Sequence, residues 1–349
     1  MKLCALGCAL GALLTLSSVA RADIIINPTY DASIQNDPNH VAIENAIQSA
    51  IQVFENLIVT PITVQIYFEE AASPYLGASI FEPYNASYNA FYQLLVANDA
   101  NPAAIAALQA NSVPGDTNHL INPASLTNNI EIKSSNARAL GFGAPADCVP
   151  TAVTGQPVAK ECVFGTTNAV DGIIALNTSI TFPPNGTGYS LISVAEHEID
   201  EILGLGSALE NCDPTSTTAS ATCKAKTLTL ANDTGSAGTG SPEDLYRWNS
   251  AGQRAVSVDC TNPGTAMFSY GPSTGNIAGF NNACNGADFE DWDSAIVRVQ
   301  NAFATSGANP TLGSAEIDAL TAIGYEASPE PGTLALMLLP ALALLKKRK

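Results

Sequence analysis

A short helical pattern in the middle of the chain places two metal-ligating residue types on one face. Residues 195–207 read AEHEIDEILGLGS, in which His197 and Glu201 are four residues apart. Side chains at positions i and i+4 of a helix are neighbours, with Cβ atoms about 5–6 Å apart, so the pair can offer two ligands to one cation. Glu198 follows His197 directly, where a carboxylate can act on a water bound to that cation. The pattern predicts half of a metal site with an acid–base residue beside it.

The residues around this pattern carry signals for both ends of a helix. Ser190 precedes the apolar residues 191–194 and is a residue type that caps helix N-termini. Gly204 and Gly206 end the helical pattern. An acidic, solvated helix face could produce the same HExxE string, but the apolar front and the two glycines favour a metal-binding helix.

The N-terminus has the three parts of a secretory signal. Lys2 gives a positive start, residues 3–16 are apolar, and residues 20–22 form a small-x-small cleavage site. The apolar run is too short to be a stable membrane span. We expect residues 1–22 to be removed, so that the mature chain begins at Asp23.

The C-terminus has three parts in order: residues 328–331 read SPEP, residues 332–345 are apolar, and residues 346–349 read KKRK. This arrangement resembles the PEP-CTERM sorting signal of Gram-negative bacteria. Fourteen residues are short for a span, but the basic tail would hold them on the cytoplasmic side, and we expect a transmembrane helix there. The resemblance implies export through the inner membrane, transient anchoring, cleavage by an exosortase, and release to the cell surface or the extracellular space. A plain C-terminal anchor remains open.

The charge of the chain excludes some classes of partner. The formal net charge is −18 at pH 7, and removal of both terminal signals would take away further cations. A protein this acidic does not attract nucleic acid or anionic lipid through its overall electrostatic potential. It could collect cations such as calcium.

The cysteines agree with an oxidising compartment. Beyond the N-terminal signal there is an even set of six: Cys148, Cys162, Cys212, Cys223, Cys260 and Cys284. Such a set predicts disulfides. Fifteen pairings are open, and nearest-neighbour pairing is favoured. A zinc cluster is excluded because no CxxC spacing occurs.

Apolar periodicity predicts a chain of mixed strands and helices. A strand at 24–26, an amphipathic helix at 39–57 and an alternating strand at 62–68 form a β-α-β opening. We expect a loop between Cys148 and Cys162. The further elements are a helical region at 87–111, strands at 129–133 and 171–177, and a last helix at 314–325 with Ser314 as its N-cap.

The central motif resembles that of metzincin zinc proteases, whose pattern is HExxHxxGxxH. His197, Glu198 and Gly204 match the first His, the general base and the turn Gly, whereas Glu201 and Ser207 stand at the second and third His positions. The chain looks most like secreted bacterial metalloproteases that carry the PEP-CTERM tail. The resemblance implies an α+β zincin fold over residues 23–327. In that fold a mixed twisted sheet is backed by helices, the active-site helix lies mid-chain and the C-terminal part is loop-rich.

The departures from the family pattern leave the metal and its third ligand open. A neutral Ser207 hydroxyl binds metals weakly, so we expect a downstream carboxylate among Glu210, Asp213 and Asp244, with Asp244 favoured. One His with two carboxylates suits zinc or a harder divalent cation such as manganese, calcium or iron. Met267 resembles the methionine of the metzincin turn beneath the metal, and the alternative is a core methionine that fills a gap.

Two functions follow from these features. The first is a secreted metalloendopeptidase, a monomer that acts on protein or peptide substrates after processing by signal peptidase and exosortase. The resemblance also implies that strand 171–177 is the edge strand that holds the substrate beside the metal helix. The second is a catalytically inactive, protease-like surface or biofilm-matrix protein that binds calcium through the acidic residues 288–293.

Overall fold

The structure of the protein is a computed structural model. The residues that it describes are 23–71, 75–98, 100–110, 129–154, 158–181, 188–207, 226–227, 240–252, 255, 257–258, 263–271, 275–283 and 285–328. Several sequence-based expectations fall on other residues and lie outside the described chain: both terminal signals, Glu210, Asp213, Cys212, Cys223, Cys260 and Cys284.

The chain opens with the expected β-α-β unit. Strand β1 (Ile25–Tyr30) is followed by a short helix α1 (Ala32–Gln35), the long helix α2 (His40–Leu57) and strand β2 (Thr63–Glu70). Strands β1 and β2 are parallel. The apolar face of α2 is buried as its periodicity predicted, through Ile43, Ala46, Ile47, Ala50, Ile51 and Phe54.

The main sheet is mixed and has its one antiparallel strand at an edge. Its order is β1-β2-β8-β3, with β8 (Gly172–Leu176) parallel to β2 and β3 (Gly77–Ile80) antiparallel to β8. All five residues of β8 are buried. The expectation that strand 171–177 is the edge strand is therefore wrong, because its continuous apolar run belongs to a strand covered on both faces. The edge strand beside β8 is β3, a four-residue strand that the sequence did not reveal.

Helices and two hairpins complete the first part of the chain. The helices are α3 (Tyr88–Asn98), α4 (Pro102–Ala110), α5 (Ser134–Ala139) and α6 (Thr178–Thr181). The hairpins pair β4 (Pro83–Ser87) with β5 (Asn129–Lys133), and β6 (Cys148–Ala152) with β7 (Lys160–Phe164).

The region between Cys148 and Cys162 is not the expected loop. It is the β6–β7 hairpin, and a disulfide joins Cys148 to Cys162 across it. The polar, Pro-containing sequence suggested irregular backbone, but cross-strand pairing and the disulfide hold it as a hairpin. This bond is one of the three nearest-neighbour pairs that the sequence favoured.

The C-terminal part contains short strands joined by irregular segments. Helix α7 (Leu191–Leu203) precedes them, and α8 (Ser314–Ala322) follows them. Between these helices lie a 3₁₀ turn (Glu243–Tyr246) and the strands β9 (Lys226–Thr227), β10 (Arg247–Trp248), β11 (Ser257–Val258), β12 (Met267–Phe268) and β13 (Ala278–Gly279). Strands β10, β12 and β13 form one antiparallel sheet, and β9 pairs with β11. With the mixed main sheet and its helices, the architecture is compatible with an α+β fold.

The largest hydrophobic cluster joins the beginning and the end of the described chain. It includes Ile24 and Ile26 of the opening strand region and Ile323 and Tyr325 after α8. Helix α7 packs against α2, β3 and β8, so it lies between the main sheet and the C-terminal segments. The fold thus places α7 where residues from both halves of the chain can reach it.

The transmembrane helix expected from the sequence requires a correction. Among the helices of the described residues, none is both long and apolar enough to cross a bilayer. The segment 332–345, on which the expectation rested, lies outside the described residues.

A substitution at the end of α7 tests how tightly this helix is packed. Gly204 has φ +131°, and a Cβ there would lie 2.9 Å from both Asn136 Cβ and Ile323 Cδ1. We expect Gly204→Ala to lower the free energy of unfolding by about 2–4 kcal/mol, measured by chemical denaturation. Gly141→Ala is the control, because Gly141 has φ +91° but no atom within 4 Å of the added Cβ. If the free energy of unfolding falls equally in the two variants, close packing at Gly204 contributes nothing to stability.

Candidate metal centre

Helix α7 has the ends that its sequence predicted. Ser190 Oγ accepts a hydrogen bond from the Ser193 backbone N–H at 3.1 Å, so Ser190 is the N-cap. At the other end Gly204, at the C-cap, takes a positive φ that favours glycine. These two caps fix the register of His197, Glu198 and Glu201 along the helix.

The helix is surrounded on nearly all sides. Ile199, Ile202 and Leu203 belong to the hydrophobic core. Glu198 and Glu201, on the polar side, are only 5% and 7% exposed. Polar side chains buried to this extent require partners from other elements, because an unpaired buried charge is costly.

A carboxylate from far along the chain completes a group of three around His197. His197 Nε2 lies 3.3 Å from Glu201 Oε1 and 3.5 Å from Asp291 Oδ1. One ligand atom from each of the three residues lies within 4.8 Å of the others. Asp291 is 3% exposed. The structure thus brings one imidazole and two carboxylates to a single point, and this group could hold a metal ion.

The backbone orients the imidazole for this role. His197 Nδ1 lies 3.0 Å from the carbonyl oxygen of Val299. A carbonyl can only accept, so Nδ1 carries the proton and Nε2 faces the two carboxylates. A hydrogen bond of this kind fixes the tautomer and ring orientation of metal-binding histidines.

The two carboxylates are also held by neighbouring side chains. The Gln300 amide donates from Nε2 to Asp291 Oδ1 at 3.1 Å and lies 3.5 Å from His197 Nε2. Ser79 of the edge strand β3 donates its hydroxyl to Glu201 Oε2. Each carboxylate therefore keeps one oxygen beside His197 while another residue restrains its orientation.

Electrostatics in the group agree with a site that a cation would stabilise. Burial opposes the charged form of His197, but the carboxylates of Asp291 and Glu201 outweigh it and raise the His197 pKa well above its usual value. Burial would raise the Glu201 pKa, but the hydrogen bond and charge of His197 lower it instead. Burial, with the Glu201 charge adding to it, raises the pKa of Asp291 to about 8. In the absence of metal, the His197–Asp291 pair therefore holds a proton near neutral pH, in addition to the one on Nδ1.

Glu198 lies next to this group, against the edge strand. A Cβ added at Gly77 would lie 2.4 Å from Glu198 Oε1, so the missing side chain of Gly77 leaves the space that the carboxyl occupies. Burial, followed by the charge of Glu201, raises the Glu198 pKa well above its usual value. A carboxyl with a raised pKa beside a metal group suits a residue that accepts and returns a proton.

The segment that carries Asp291 and Gln300 is fixed by a buried residue of the last helix. Glu316 Oε1 accepts hydrogen bonds from Trp292 Nε1 at 3.0 Å and from the Gln300 backbone N–H at 3.4 Å. Its other oxygen accepts from the Gly313 N–H at 3.0 Å. The N-cap position of α8 is therefore Gly313, not the expected Ser314, and the Glu316 carboxylate caps this helix. One buried carboxylate ties α8 to the metal group.

A second group of carboxylates adjoins the first. Ligand atoms of Glu201, Asp288 and Glu290 also lie within 4.8 Å of one another. Burial, with the charges of Asp288 and Asp291 adding to it, raises the Glu290 pKa well above its usual value. The acidic segment that the sequence analysis considered for calcium binding thus lies against Glu201.

The structure places the other predicted site residues elsewhere or in supporting roles. Asp244, which the sequence favoured as third ligand, accepts hydrogen bonds from the Ser207 hydroxyl at 2.5 Å and the Ser241 N–H at 3.0 Å. The carboxylate beside His197 and Glu201 is instead that of Asp291. Met267 lies in strand β12, paired with Trp248 and Gly279.

Sequence reasoning missed Asp291 as a candidate ligand, and it missed the neighbouring residues Ser79, Val299 and Gln300. Only the acidic and aromatic character of residues 288–293 pointed to that part of the site.

The distances in the group of three fit a four-coordinate zinc ion. Ligand bonds of about 2.0–2.2 Å in a tetrahedron separate neighbouring ligand atoms by about 3.4 Å. The observed separations from His197 Nε2 are 3.3 and 3.5 Å. Imidazole and carboxylate are ligands for zinc, and also for harder cations such as manganese. The residues present therefore fit a divalent cation.

The pKa shifts predict that metal binding depends on pH. Since a metal must displace the proton that the His197–Asp291 pair holds, the apparent Zn²⁺ affinity should rise between pH 6 and 8, by up to about tenfold per pH unit for each proton released. Titration calorimetry in buffers of different protonation enthalpy measures both the affinity and the protons released. In Asp291→Asn the proton release should be smaller, because His197 loses the carboxylate that contributes most to raising its pKa. An affinity that does not change with pH would contradict the assignment.

Comparisons with protein-family models, with curated proteins and with solved structures find no match for this chain. Its function must therefore be inferred from the side chains of the site and from the elements that hold them.

Proposed function

We propose that this protein is a metal-dependent hydrolase that cleaves peptide bonds, with His197, Glu201 and Asp291 as metal ligands. The observation that supports this most strongly is the convergence of one imidazole nitrogen and two carboxylate oxygens at separations of 3.3 and 3.5 Å. A zincin-like arrangement, in which one helix carries two ligands and the acid–base residue, is part of the proposal.

Glu198 is the residue that the proposal assigns to proton transfer. A bound divalent cation would supply a Lewis acid and lower the pKa of a water molecule. The Glu198 carboxyl, one residue beyond His197 and buried against β3, would take a proton from that water and return it to the leaving amine. Its raised pKa matches a group that must both accept and donate a proton near neutral pH.

The edge strand β3 is the proposed support for an extended substrate. In a strand, residues two apart lie on one face, and Gly77 and Ser79 share the face that meets Glu198 and Glu201. An extended peptide can add to an exposed sheet edge through main-chain hydrogen bonds. Peptide bonds bound along β3 would lie beside the metal group. We include export of the mature chain, as its terminal signals predict, in the proposal.

A second candidate is a non-catalytic protein that binds calcium. The group of Glu201, Asp288 and Glu290 favours it, because calcium takes oxygen ligands only. The first group contains an imidazole nitrogen, which suits zinc better than calcium. The metal that the purified protein retains therefore distinguishes the two candidates.

Metal content and peptide hydrolysis of matched variants test the proposal. The mature protein should retain zinc or another transition metal by elemental analysis and hydrolyse casein. Glu198→Gln should keep the metal and lose about 10²- to 10⁴-fold in turnover, because only proton transfer is removed. Glu201→Ala and Asp291→Ala should lose both metal and activity.

Asp293→Asn is the matched control on the same segment. Asp293 Oδ1 accepts from the Ala295 N–H at 3.2 Å, and Asp293 is in neither of the two candidate metal groups. This variant should keep its metal and its activity. A wild-type protein that binds only calcium and hydrolyses no casein would contradict the proposal. Full metal content in Asp291→Ala would refute the ligand assignment alone.

A further inference from the structure

A cavity of about 60 Å³ lies next to the proposed metal centre. Glu290 lines this cavity, and its carboxylate lies within 4.8 Å of the Glu201 carboxylate. Phe81, which directly follows strand β3, lines it as well. The cavity is therefore connected to the site through one residue of the acidic segment and one at the end of the edge strand.

The register of the edge strand relates the cavity to the catalytic groups. Gly77 meets Glu198, Ser79 meets Glu201, and Phe81 meets the cavity. These residues follow one another at intervals of two, the period of a strand face, so they advance by about 6–7 Å per step. A peptide extended along β3 with its scissile bond near Glu198 would carry a nearby side chain to the cavity.

A buried lysine provides hydrogen-bond donors to the cavity. Lys133 lines the cavity, is 9% exposed and places Nζ 3.8 Å from the centre of the Phe81 ring. An ammonium has three N–H donors. Within the described part of the chain, Nζ donates one hydrogen bond, to the Leu205 carbonyl at 2.7 Å. Donors thus remain for a molecule in the cavity.

The cavity also contains hydrogen-bond acceptors and apolar surface. The carboxylates of Glu131 and Glu290 line it, as do Phe81 and Pro83. A carboxylate ligand would meet the carboxyl groups of Glu131 and Glu290, an ammonium ligand would meet Lys133, and an apolar group would leave buried polar groups unmatched. A carboxamide presents an oxygen acceptor and an NH₂ donor together, and it is neutral.

We propose that this cavity binds the carboxamide side chain of an asparagine or glutamine in a peptide substrate, with Lys133 donating to its oxygen. The proposal rests on the proposed function, and it names the substrate class of that site. The carboxamide NH₂ donates to the lining carboxyl groups of Glu131 and Glu290, and the Phe81 ring packs against the side-chain methylenes.

Peptide binding, measured separately from turnover, tests this inference. The protein is the Zn²⁺-loaded Glu198→Gln form, and the probes are capped, fluorescein-labelled alanine octapeptides with Asn, Gln, Asp, Leu or Lys at the fourth or fifth position. Fluorescence polarisation gives each Kd. We expect at least one of the Asn and Gln peptides to bind about 10- to 100-fold more tightly than the near-isosteric Asp and Leu peptides, as two or three added hydrogen bonds would give. Removing the donor in Lys133→Met should bring this ratio to within about threefold.

A second variant tests the inference if Lys133→Met fails to fold. Phe81 is partly buried, and Phe81→Trp should fill much of the cavity without altering a charge. It should weaken binding of the carboxamide peptides selectively. Equal binding of all peptides, a preference that persists in Lys133→Met, or no binding of any peptide would overturn the inference. If only the proposed function is wrong, the preference for the Asn and Gln peptides persists, but the wild-type protein hydrolyses no peptide.

Discussion

The burial of charge along α7 is the constraint on which the rest of the structure depends. This helix buries Glu196, Glu198, Asp200 and Glu201 around His197, and an unpaired buried charge costs several kcal/mol. Three of these groups are accommodated differently. Glu196 accepts from the Leu312 N–H and the Thr311 hydroxyl, Glu201 is held by His197 and Ser79, and burial raises the Asp200 pKa well above normal, which favours its neutral form. A divalent cation would neutralise the remaining excess of negative charge around His197.

This constraint explains why the C-terminal segments fold over α7. The polar residues of the helix need partners, and the segment from Asp291 to Leu312 supplies them: a carboxylate for His197, a carbonyl from Val299, and backbone and hydroxyl groups for Glu196. Glu316 then holds this segment in place through Trp292 and Gln300. Polar networks of this kind are satisfied as a unit, so the site and the packing of the last helix are coupled.

The sequence predicted the parts of this arrangement that depend on local patterns. The caps of α7, the shared face of His197 and Glu201, and the parallel β-α-β opening follow from spacing alone. It could not predict Asp291, because an irregular segment distant in sequence carries no periodicity that shows which side chain returns to the helix. Strand β3 was missed for a related reason: GASI has neither alternation nor length, and only its pairing with β8 makes it a strand. Tertiary contacts therefore place the third candidate ligand and form the edge strand.

X-ray absorption spectroscopy of the zinc-loaded mature protein tests the central claim most directly, because it reports the ligand atoms whether or not the protein is active. We predict one imidazole nitrogen and at least two carboxylate oxygens at about 2.0–2.2 Å, with no sulfur. In Asp291→Ala one carboxylate oxygen should be lost from the shell, and in Asp293→Asn the spectrum should not change. A shell with sulfur or a second imidazole, or one that is the same in Asp291→Ala and wild type, would contradict the claim that His197, Glu201 and Asp291 form the metal centre.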